Sequence, residues 1–217
     1  VETLVDVYEY LKYHGVIFQF GEENGRIIKV DEETVINGNG ESFEANNILL
    51  SLGANTGKVV NLENQQSATG LFVTHIQLTD DEYEKYKDIP VIFDGDMGYF
   101  FQPDKETKRM KICLNGGGIK RTIESKFDNS KNSLPRFKSE YPGDTIPKER
   151  VIEVYEILNQ YVPELANHEI VDHKICWIGD TIGGNFLIDK VPNFERVFVA
   201  TGDSGHGFKF FPNIGKY

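Results

Sequence analysis

Cysteine is scarce in this chain of 217 residues, which holds only Cys113 and Cys176. Two cysteines cannot form the disulfide framework of a small secreted domain, so the sequence favours a reducing compartment. The absence of a Cys-x-x-C pair argues against a structural zinc site. The five histidines are scattered, and His168 and His173 lack a third ligand nearby. We therefore predict that the chain binds no metal ion.

Positive charge is also in short supply, because 23 Lys and Arg stand against 34 Asp and Glu, for a formal net charge of −11. Phosphate backbones and anionic membranes repel such a chain, which excludes nucleic acid as a partner. The sequence contains no apolar run long enough to cross a bilayer, and we expect no signal peptide. We expect an intracellular protein, cytoplasmic or peroxisomal, without a membrane partner. Because the sequence lacks an initial Met and both ends interrupt a pattern, we expect a fragment of a longer protein.

The apolar residues that are present follow regular spacings and predict an α+β fold. Helical spacing predicts a helix over residues 1–13, ended by Gly15, and another over residues 149–161. Thr79 and the acidic residues after it predict a third helix start. Alternation or apolar runs predict strands over residues 16–20, 26–30, 33–36, 44–52, 71–78, 90–93, 98–102, 109–114, 170–178, 185–189 and 197–201. Residues 37–40 form a hairpin signal, and residues 120–147, rich in Ser, Asn, Asp and Pro, predict a long loop.

The segment with the most candidate functional residues is a predicted strand followed by the run Gly202-Asp203-Ser204-Gly205-His206-Gly207-Phe208-Lys209. Glycines let a backbone approach a planar cofactor or an anion closely, and exposed N–H groups there could face a ring edge. On glycine count alone, an ordinary strand-to-helix turn explains the segment equally well.

This run, followed by Pro212-Asn213-Ile214-Gly215-Lys216, closely resembles the C-terminal signature of fructosyl-amino-acid oxidases, and residues 204–209 resemble that of monomeric sarcosine oxidase. In both families the turn lies beside the flavin ring. The resemblance implies FAD contacts at Asp203, Ser204, Gly205, His206 and Gly207. It also implies that His206 lies near the reacting ring and that Lys209 binds the substrate carboxylate.

Cys176, within Ile175-Cys176-Trp177, taken alone predicts a buried strand cysteine. It precedes His206 by the spacing at which the resembling family has a cysteine joined to the flavin by a thioether. The resemblance therefore implies covalent FAD on Cys176 and places Trp177 at the substrate.

Lys111 lies in the alternating strand Met110-Lys111-Ile112-Cys113, where the pattern alone predicts a solvent-facing lysine. The resembling family has a lysine here above the flavin, where it assists oxygen reduction, and the resemblance carries that catalytic role to Lys111. Cys113 has no matching role and is expected to pack in the interior.

The aromatic strand Gly98-Tyr99-Phe100-Phe101-Gln102 is more often core than pocket on pattern alone. The resemblance makes it a wall of the substrate cavity, with Phe100 and Gln102 at the substrate. Most fructosyl-amino-acid oxidases have a glutamate where Gln102 stands. A glutamine can hydrogen-bond but cannot pair a cation by charge, which keeps saccharopine or another N-substituted amino acid open as the substrate.

The resemblance covers nearly the whole chain and implies an antiparallel-sheet substrate domain over residues 61–170. C-terminal pieces of an FAD-binding α/β (Rossmann-like) domain would flank it at residues 1–60 and 171–217. The implied reaction of the longer protein, expected to act as a monomer, oxidises a secondary amine with O2 to an imine, which hydrolyses, and to hydrogen peroxide. The Gly-x-Gly-x-x-Gly loop that holds the FAD pyrophosphate is not in these residues. Two alternatives remain: a dehydrogenase that uses another acceptor, and a non-catalytic fragment.

Overall fold

Two long antiparallel strands form the centre of the larger sheet. We describe a computed structural model that covers residues 2–116 and 118–216. The two strands, β5 (Gln66–Gln77) and β11 (Ile170–Thr181), pair from Gln66 opposite Thr181 to Ile76 opposite Ile170. The sheet is completed by β8 (Arg109–Leu114), β7 (Gly98–Phe100) and β6 (Ile92–Asp94), in the order β11-β5-β8-β7-β6.

One face of this sheet is covered by the helix α3 (Lys148–Tyr161), which the periodicity predicted. Val154, Ile157 and Leu158 on the helix are at most 1% exposed and pack against Phe72 and Ile76 of β5. Residues that alternate along a strand point to opposite faces, so this apolar set leaves the other face free of the helix. Burial of each such side chain contributes roughly 1.5–3 kcal/mol, which makes this contact the main core of the sheet.

A second core forms around a smaller mixed sheet of β12 (Leu187–Lys190), β13 (Val197–Thr201) and β4 (Ile48–Leu50). β13 pairs with β4 in parallel and with β12 in antiparallel orientation. The hairpin sheet β1 (Ile27–Val30), β2 (Thr34–Asn37) and β3 (Ser42–Glu44) adds Val30 to the same core. The parallel pair and the antiparallel large sheet together confirm the predicted α+β class.

Local start and stop signals also set the shorter elements. Helix α1 (Glu2–Tyr13) is followed by Gly15 in the left-handed region, with φ of 86°, as a terminating glycine requires. Helix α2 (Asp80–Tyr86) begins with a capping box, in which the Thr79 and Glu82 side chains each bond to the other's backbone N–H. Both predicted signals are confirmed.

Three predictions from the pattern fail in part. Residues 16–20 form no strand, because a strand needs a hydrogen-bonded neighbour; Phe18 instead packs on Tyr8, with ring centroids 4.8 Å apart. The strand predicted over residues 44–52 is only Ile48–Leu50. The loop predicted over residues 120–147 contains a hairpin of β9 (Thr122–Glu124) and β10 (Lys131–Ser133).

The predicted change of domain at residue 171 falls at the start of β11, and the whole of β11 belongs to the large sheet. The next strand, β12, belongs to the smaller sheet. The passage between the two sheets therefore lies after Thr181, within the span between β11 and β12.

Candidate functional site

The glycine-rich loop after β13 has an unusual backbone. Gly202, Ser204 and Gly205 have φ of 70°, 46° and 77°, so three of four consecutive residues lie in the left-handed region. A residue with a Cβ is disfavoured there, and at Gly202 a Cβ would also lie 2.6 Å from the Thr181 Cγ2. A Cβ on Gly207 would lie 2.9 Å from the Cβ of Asp203. The loop thus depends on glycine both for its backbone angles and for its tight packing.

Asp203 and Ser204 fasten this loop to the end of β11. The Gly179 N–H donates to Asp203 Oδ1 at 3.3 Å, and the Ser204 N–H donates to the Gly179 carbonyl at 3.1 Å. The Thr181 N–H donates to Ser204 Oγ at 3.3 Å. These bonds fix the loop relative to the strand that carries Cys176, five residues before Thr181.

Gly205 lies against the same face of β11 as Cys176. A Cβ built on Gly205 would be 3.5 Å from Ile178 Cδ1, and Ile178 and Cys176, two residues apart on one strand, point to one face. The next residue, His206, holds its ring 5.4 Å from the Phe186 ring and 6.3 Å from the Phe210 ring, measured between centroids. The fold therefore brings the cysteine strand and the histidine loop together, although thirty residues separate Cys176 from His206 in the sequence.

Lys111 and Cys176 share the face of the large sheet that α3 leaves uncovered. Lys111 pairs with His75, and Cys176 pairs with Leu71, two positions of β5 that point the same way. Four residues along β5 and two strand spacings separate them, or roughly 13 Å by 10 Å. Cys176 is exposed, and the Lys111 Nζ lies 4.8 Å from the centroid of the Phe101 ring.

The two cysteines differ in environment even though they lie on one face. Cys113 is 3% exposed, and burial raises the pKa of its thiol to about 11. Its neighbour Tyr99 also has a raised pKa, chiefly through burial and further through the charge and hydrogen bond of Cys113. A buried thiol with a high pKa is unreactive, whereas the exposed thiol of Cys176 is open to a ligand.

His75 is a neighbour of Lys111 that the sequence analysis did not single out. Its side chain is 16% exposed, and its Nδ1 lies 3.6 Å from Asp172 Oδ2. Burial lowers the pKa of His75; Asp172 opposes this shift, while Lys174, Lys111 and Arg109 add to it. A largely neutral imidazole therefore lies among three cations and one carboxylate. The alternation of β5 could have shown its face, but only the strand pairing shows its neighbours.

Gln66, also missed, holds the base of the glycine loop. It is 4% exposed; its Oε1 accepts from Thr201 Oγ1 at 2.6 Å and from the Gly202 N–H at 3.1 Å. Its Nε2 donates to the Gly53 carbonyl at 2.9 Å. A Cβ on Gly179 would come within 2.9 Å of the Gln66 side-chain amide, so the packing requires glycine at position 179. No pattern in the sequence marks a residue whose partners are distant along the chain.

The remaining predicted substrate residues fall in two groups. Phe100 is 2% exposed in the core against α3, and Trp177 pairs with Gly70, on the face opposite Cys176. The alternation of the strands therefore turns both away from Lys111 and Cys176, and the site proposed below omits them. Gln102 and Lys209 are exposed, and the Lys209 Nζ lies 5.4 Å from the Phe210 ring centroid.

Within residues 2–116 and 118–216, no three His, Cys, Asp or Glu side chains are grouped so as to hold a metal ion. Nor does any helix in them combine the length and the apolar character needed to cross a membrane.

Comparison with known proteins identifies relatives of the whole chain. L-saccharopine oxidase of Schizosaccharomyces pombe is 42% identical over 178 residues, which is 82% of this chain and 41% of that protein. Monomeric sarcosine oxidase of a Bacillus species is 26% identical over 195 residues, 87% of this chain and 46% of that protein. The fructosamine oxidase Amadoriase II of Aspergillus fumigatus, whose crystal structure is described as that of a deglycating enzyme, superposes with a TM-score of 0.88. It is 33% identical, and the match covers 99% of this chain and 51% of that one.

The chain thus spans about half the length of the proteins that it matches. The family described as FAD dependent oxidoreductase (DAO) matches residues 4–217. The resemblance inferred from the glycine-rich run and from Cys176 is confirmed: the chain belongs to the DAO family of FAD-dependent oxidoreductases.

Proposed function

We propose that this chain is the substrate-side half of an FAD-dependent oxidase of secondary amines, acting on fructosyl amino acids or on saccharopine-like N-substituted amino acids. The observation that carries this proposal is the arrangement of one sheet face, where an exposed Cys176 and Lys111 lie on the same side and the glycine loop abuts Ile178. When bound, FAD supplies the hydride acceptor for the C–N bond, and the protein positions the substrate against it.

The residues present fit the ring end of this cofactor. A planar ring needs an open face and a close backbone, and the loop offers the exposed Gly205, a left-handed residue without a side chain. Cys176 is exposed, as a thiol must be to form a thioether with the ring. The backbone N–H groups of the loop supply dipoles at the ring edge, with Asp203 and Ser204 already engaged in holding the loop. We propose that Cys176 is the covalent attachment point and that residues 203–207 line the ring.

Lys111 is proposed to serve the oxygen half of the reaction. Its ammonium lies over the Phe101 ring at 4.8 Å, which fixes its position. A fixed positive charge stabilises negative charge that develops on O2 as it is reduced to hydrogen peroxide. His75, on the paired strand, has a lowered pKa, so it adds no full charge of its own near neutral pH.

Lys209 and Gln102 are proposed to select the substrate. The exposed Lys209 ammonium can form a charge-assisted hydrogen bond with a substrate carboxylate. Gln102 offers an amide that hydrogen-bonds without charge, which suits a neutral or anionic substituent on the amine better than a cationic one. A second carboxylated arm, as in saccharopine-like amines, fits this set of donors. His206, held between Phe186 and Phe210, is proposed to position the reacting amine.

Covalent attachment can be tested on protein expressed from the complete reading frame. Acid precipitation should leave the yellow chromophore in the pellet of the wild type and of Cys113→Ala. Cys176→Ala should release it into the supernatant. Cys113 is the matched control because it lies on the same face but is buried. Free flavin from the wild type would contradict the covalent link, and a colourless wild-type protein would contradict the flavoenzyme proposal itself.

A peroxide assay on saccharopine-like and fructosyl amines then tests the reaction class. Hydrogen peroxide formed in step with amine consumption supports an oxidase. Amine consumption that needs an artificial electron acceptor and yields no peroxide would instead identify a dehydrogenase.

A further inference from the structure

A cavity outside the proposed flavin site brings together three distant segments of the chain. It has a volume of about 550 Å³ and lies between residues 21–28, the 3-10 helix Gly53–Lys58 and residues 126–139. This volume falls in the usual range of small-molecule sites, roughly 300–1,000 Å³. None of the residues proposed above to bind flavin or substrate lines it.

The charge of the lining is opposite to that of the chain. Arg26, Lys58 and Lys126 line the cavity against one acid, Glu22, although the chain as a whole carries −11. Two of these cations are held in place by one ring: the Lys58 Nζ lies 3.7 Å and the Arg26 Cζ 4.5 Å from the centroid of Phe137. Cations fixed in this way are preorganised for an anion, because little side-chain entropy remains to be lost on binding.

The two cations on the Phe137 ring differ in their charged partners. Arg26 forms an ion pair with Glu140 at 2.6 Å, but within residues 2–116 and 118–216 Lys58 has neither an ion pair nor a hydrogen bond.

We propose that this cavity binds a small-molecule oxyanion, a carboxylate or a phosphate ester, with its anionic group on Lys58 and Arg26. The aromatic ring is already used by the two cations, which disfavours an apolar or cationic ligand. Lys126, exposed at the rim, adds long-range attraction.

Proton binding at Lys58 gives the site a distinctive pH dependence. Burial lowers the pKa of Lys58 to about 8, helped by Arg26 and Arg121 and opposed by Glu140; Glu22 and Lys126 also line the cavity. Because the anion needs the charged ammonium, affinity should fall as pH rises above about 8, by up to about tenfold per pH unit. An arginine at this position does not titrate in this range and should abolish the fall.

Calorimetric titration of the chain with gluconate and with glycerol phosphate tests the proposal. Binding of either supports it and identifies carboxylate or phosphate as the anionic group, while glycerol, which lacks the anionic group, should bind at least tenfold more weakly. Lys58→Met, which keeps the apolar stem on Phe137, should weaken binding about ten- to a hundredfold. Lys29→Met is the matched control, because Lys29 follows the lining residue Ile28 on β1 but does not itself line the cavity, and it is exposed and paired with Asp31 at 2.6 Å.

Three results would overturn the proposal: no binding of either oxyanion, equal binding of glycerol, or equal weakening by Lys29→Met and Lys58→Met. Should Lys58→Met fail to fold by circular dichroism, Lys58→Arg decides instead. Binding by Lys58→Arg that is as strong at pH 9 as at pH 7, beside a wild type that weakens, supports the proposal. The same pH dependence in both proteins contradicts it.

Discussion

Replacing Gln66 by leucine should destabilise the chain by about 2 kcal/mol. Leucine has a similar volume, so the loss is one of hydrogen bonding rather than of packing. The Gly202 N–H would lose its partner at 3.1 Å in a buried site, which costs roughly 1–3 kcal/mol. The other two groups that bond to the Gln66 side chain, the Thr201 hydroxyl and the Gly53 carbonyl, each keep another hydrogen bond. The Thr201 hydroxyl can donate to the Gly53 carbonyl at 3.1 Å, and that carbonyl also accepts from Thr56 Oγ1 at 2.8 Å.

Urea and thermal unfolding measure this loss. For a chain of this size, about 2 kcal/mol corresponds to a fall in Tm of roughly 4–8 °C. Gln65→Leu is the matched control, since it makes the same chemical change at the preceding residue, which is exposed. Thr201→Val, alone and combined with Gln66→Leu, completes a double-mutant cycle. We expect the two losses to be non-additive by about 1 kcal/mol, because both variants break the same 2.6 Å bond.

Equal stabilities of Gln66→Leu and Gln65→Leu, within about 0.5 kcal/mol, would refute the reasoning, because surface changes stay within that range. Strict additivity in the cycle would refute the narrower statement that Gln66 and Thr201 act as one unit.

Four further predictions concern the proposed site and its neighbour His75. Lys111→Met should slow reoxidation of the reduced flavin by orders of magnitude and leave reduction by substrate less affected; an unchanged stopped-flow reoxidation would make Lys111 a surface lysine. Lys209→Ala should raise the Kd of carboxylate inhibitors about ten- to a hundredfold, because it removes a charge-assisted hydrogen bond of roughly 1.5–3 kcal/mol, and it should leave the Kd of uncharged analogues unchanged. Gln102→Glu should shift the preference toward substrates with an added cation. An unchanged substrate ranking would contradict that role of Gln102. Burial lowers the pKa of His75 in the folded state below its unfolded value, so His75 opposes folding progressively as pH falls below about 6.5. His75→Gln should therefore lose less stability between pH 7 and pH 5 than the wild type. Parallel acid-unfolding curves of the two proteins would contradict this.

Short-range patterns in the sequence predicted most elements of the fold. The apolar stripe of α3, the alternation of β5 and β8 and the Thr79 cap each depend on residues within a few positions of one another. Residues 16–20 have the same alternation but no hydrogen-bonded neighbour strand, and pattern alone cannot supply one. The β9–β10 hairpin escaped prediction because its strands have only three residues each and carry polar side chains.

The candidate site was predictable where a motif is contiguous and unpredictable where it depends on pairing. The glycine run and Cys176 could be recognised directly, and the family match confirms the resemblance that they carry. Phe100 and Trp177 looked equally suitable in sequence, yet each points away from its neighbour in the strand, to the face opposite Cys176. The helix α3 covers one face of the sheet and leaves the other face open. Because α3 lies about fifty residues from Phe100 in the sequence, the pattern around Phe100 cannot show which face is covered.

Hydrogen bonds at the end of β11 attach the glycine loop to the large sheet. Gly179 holds Asp203 and Ser204 through its N–H and carbonyl, and its α-carbon lies against the Gln66 amide. Gln66 in turn holds the Gly202 N–H, so the loop is bonded on both sides to the paired strands β5 and β11. A side chain at Gly179 would therefore displace Gln66 and the loop together, and Cys176 lies on the same rigid strand three residues away. The relative position of the thiol and the His206 loop is thus set by the strand pairing of the sheet rather than by the loop itself. A loop with three left-handed residues is thereby held as a fixed surface.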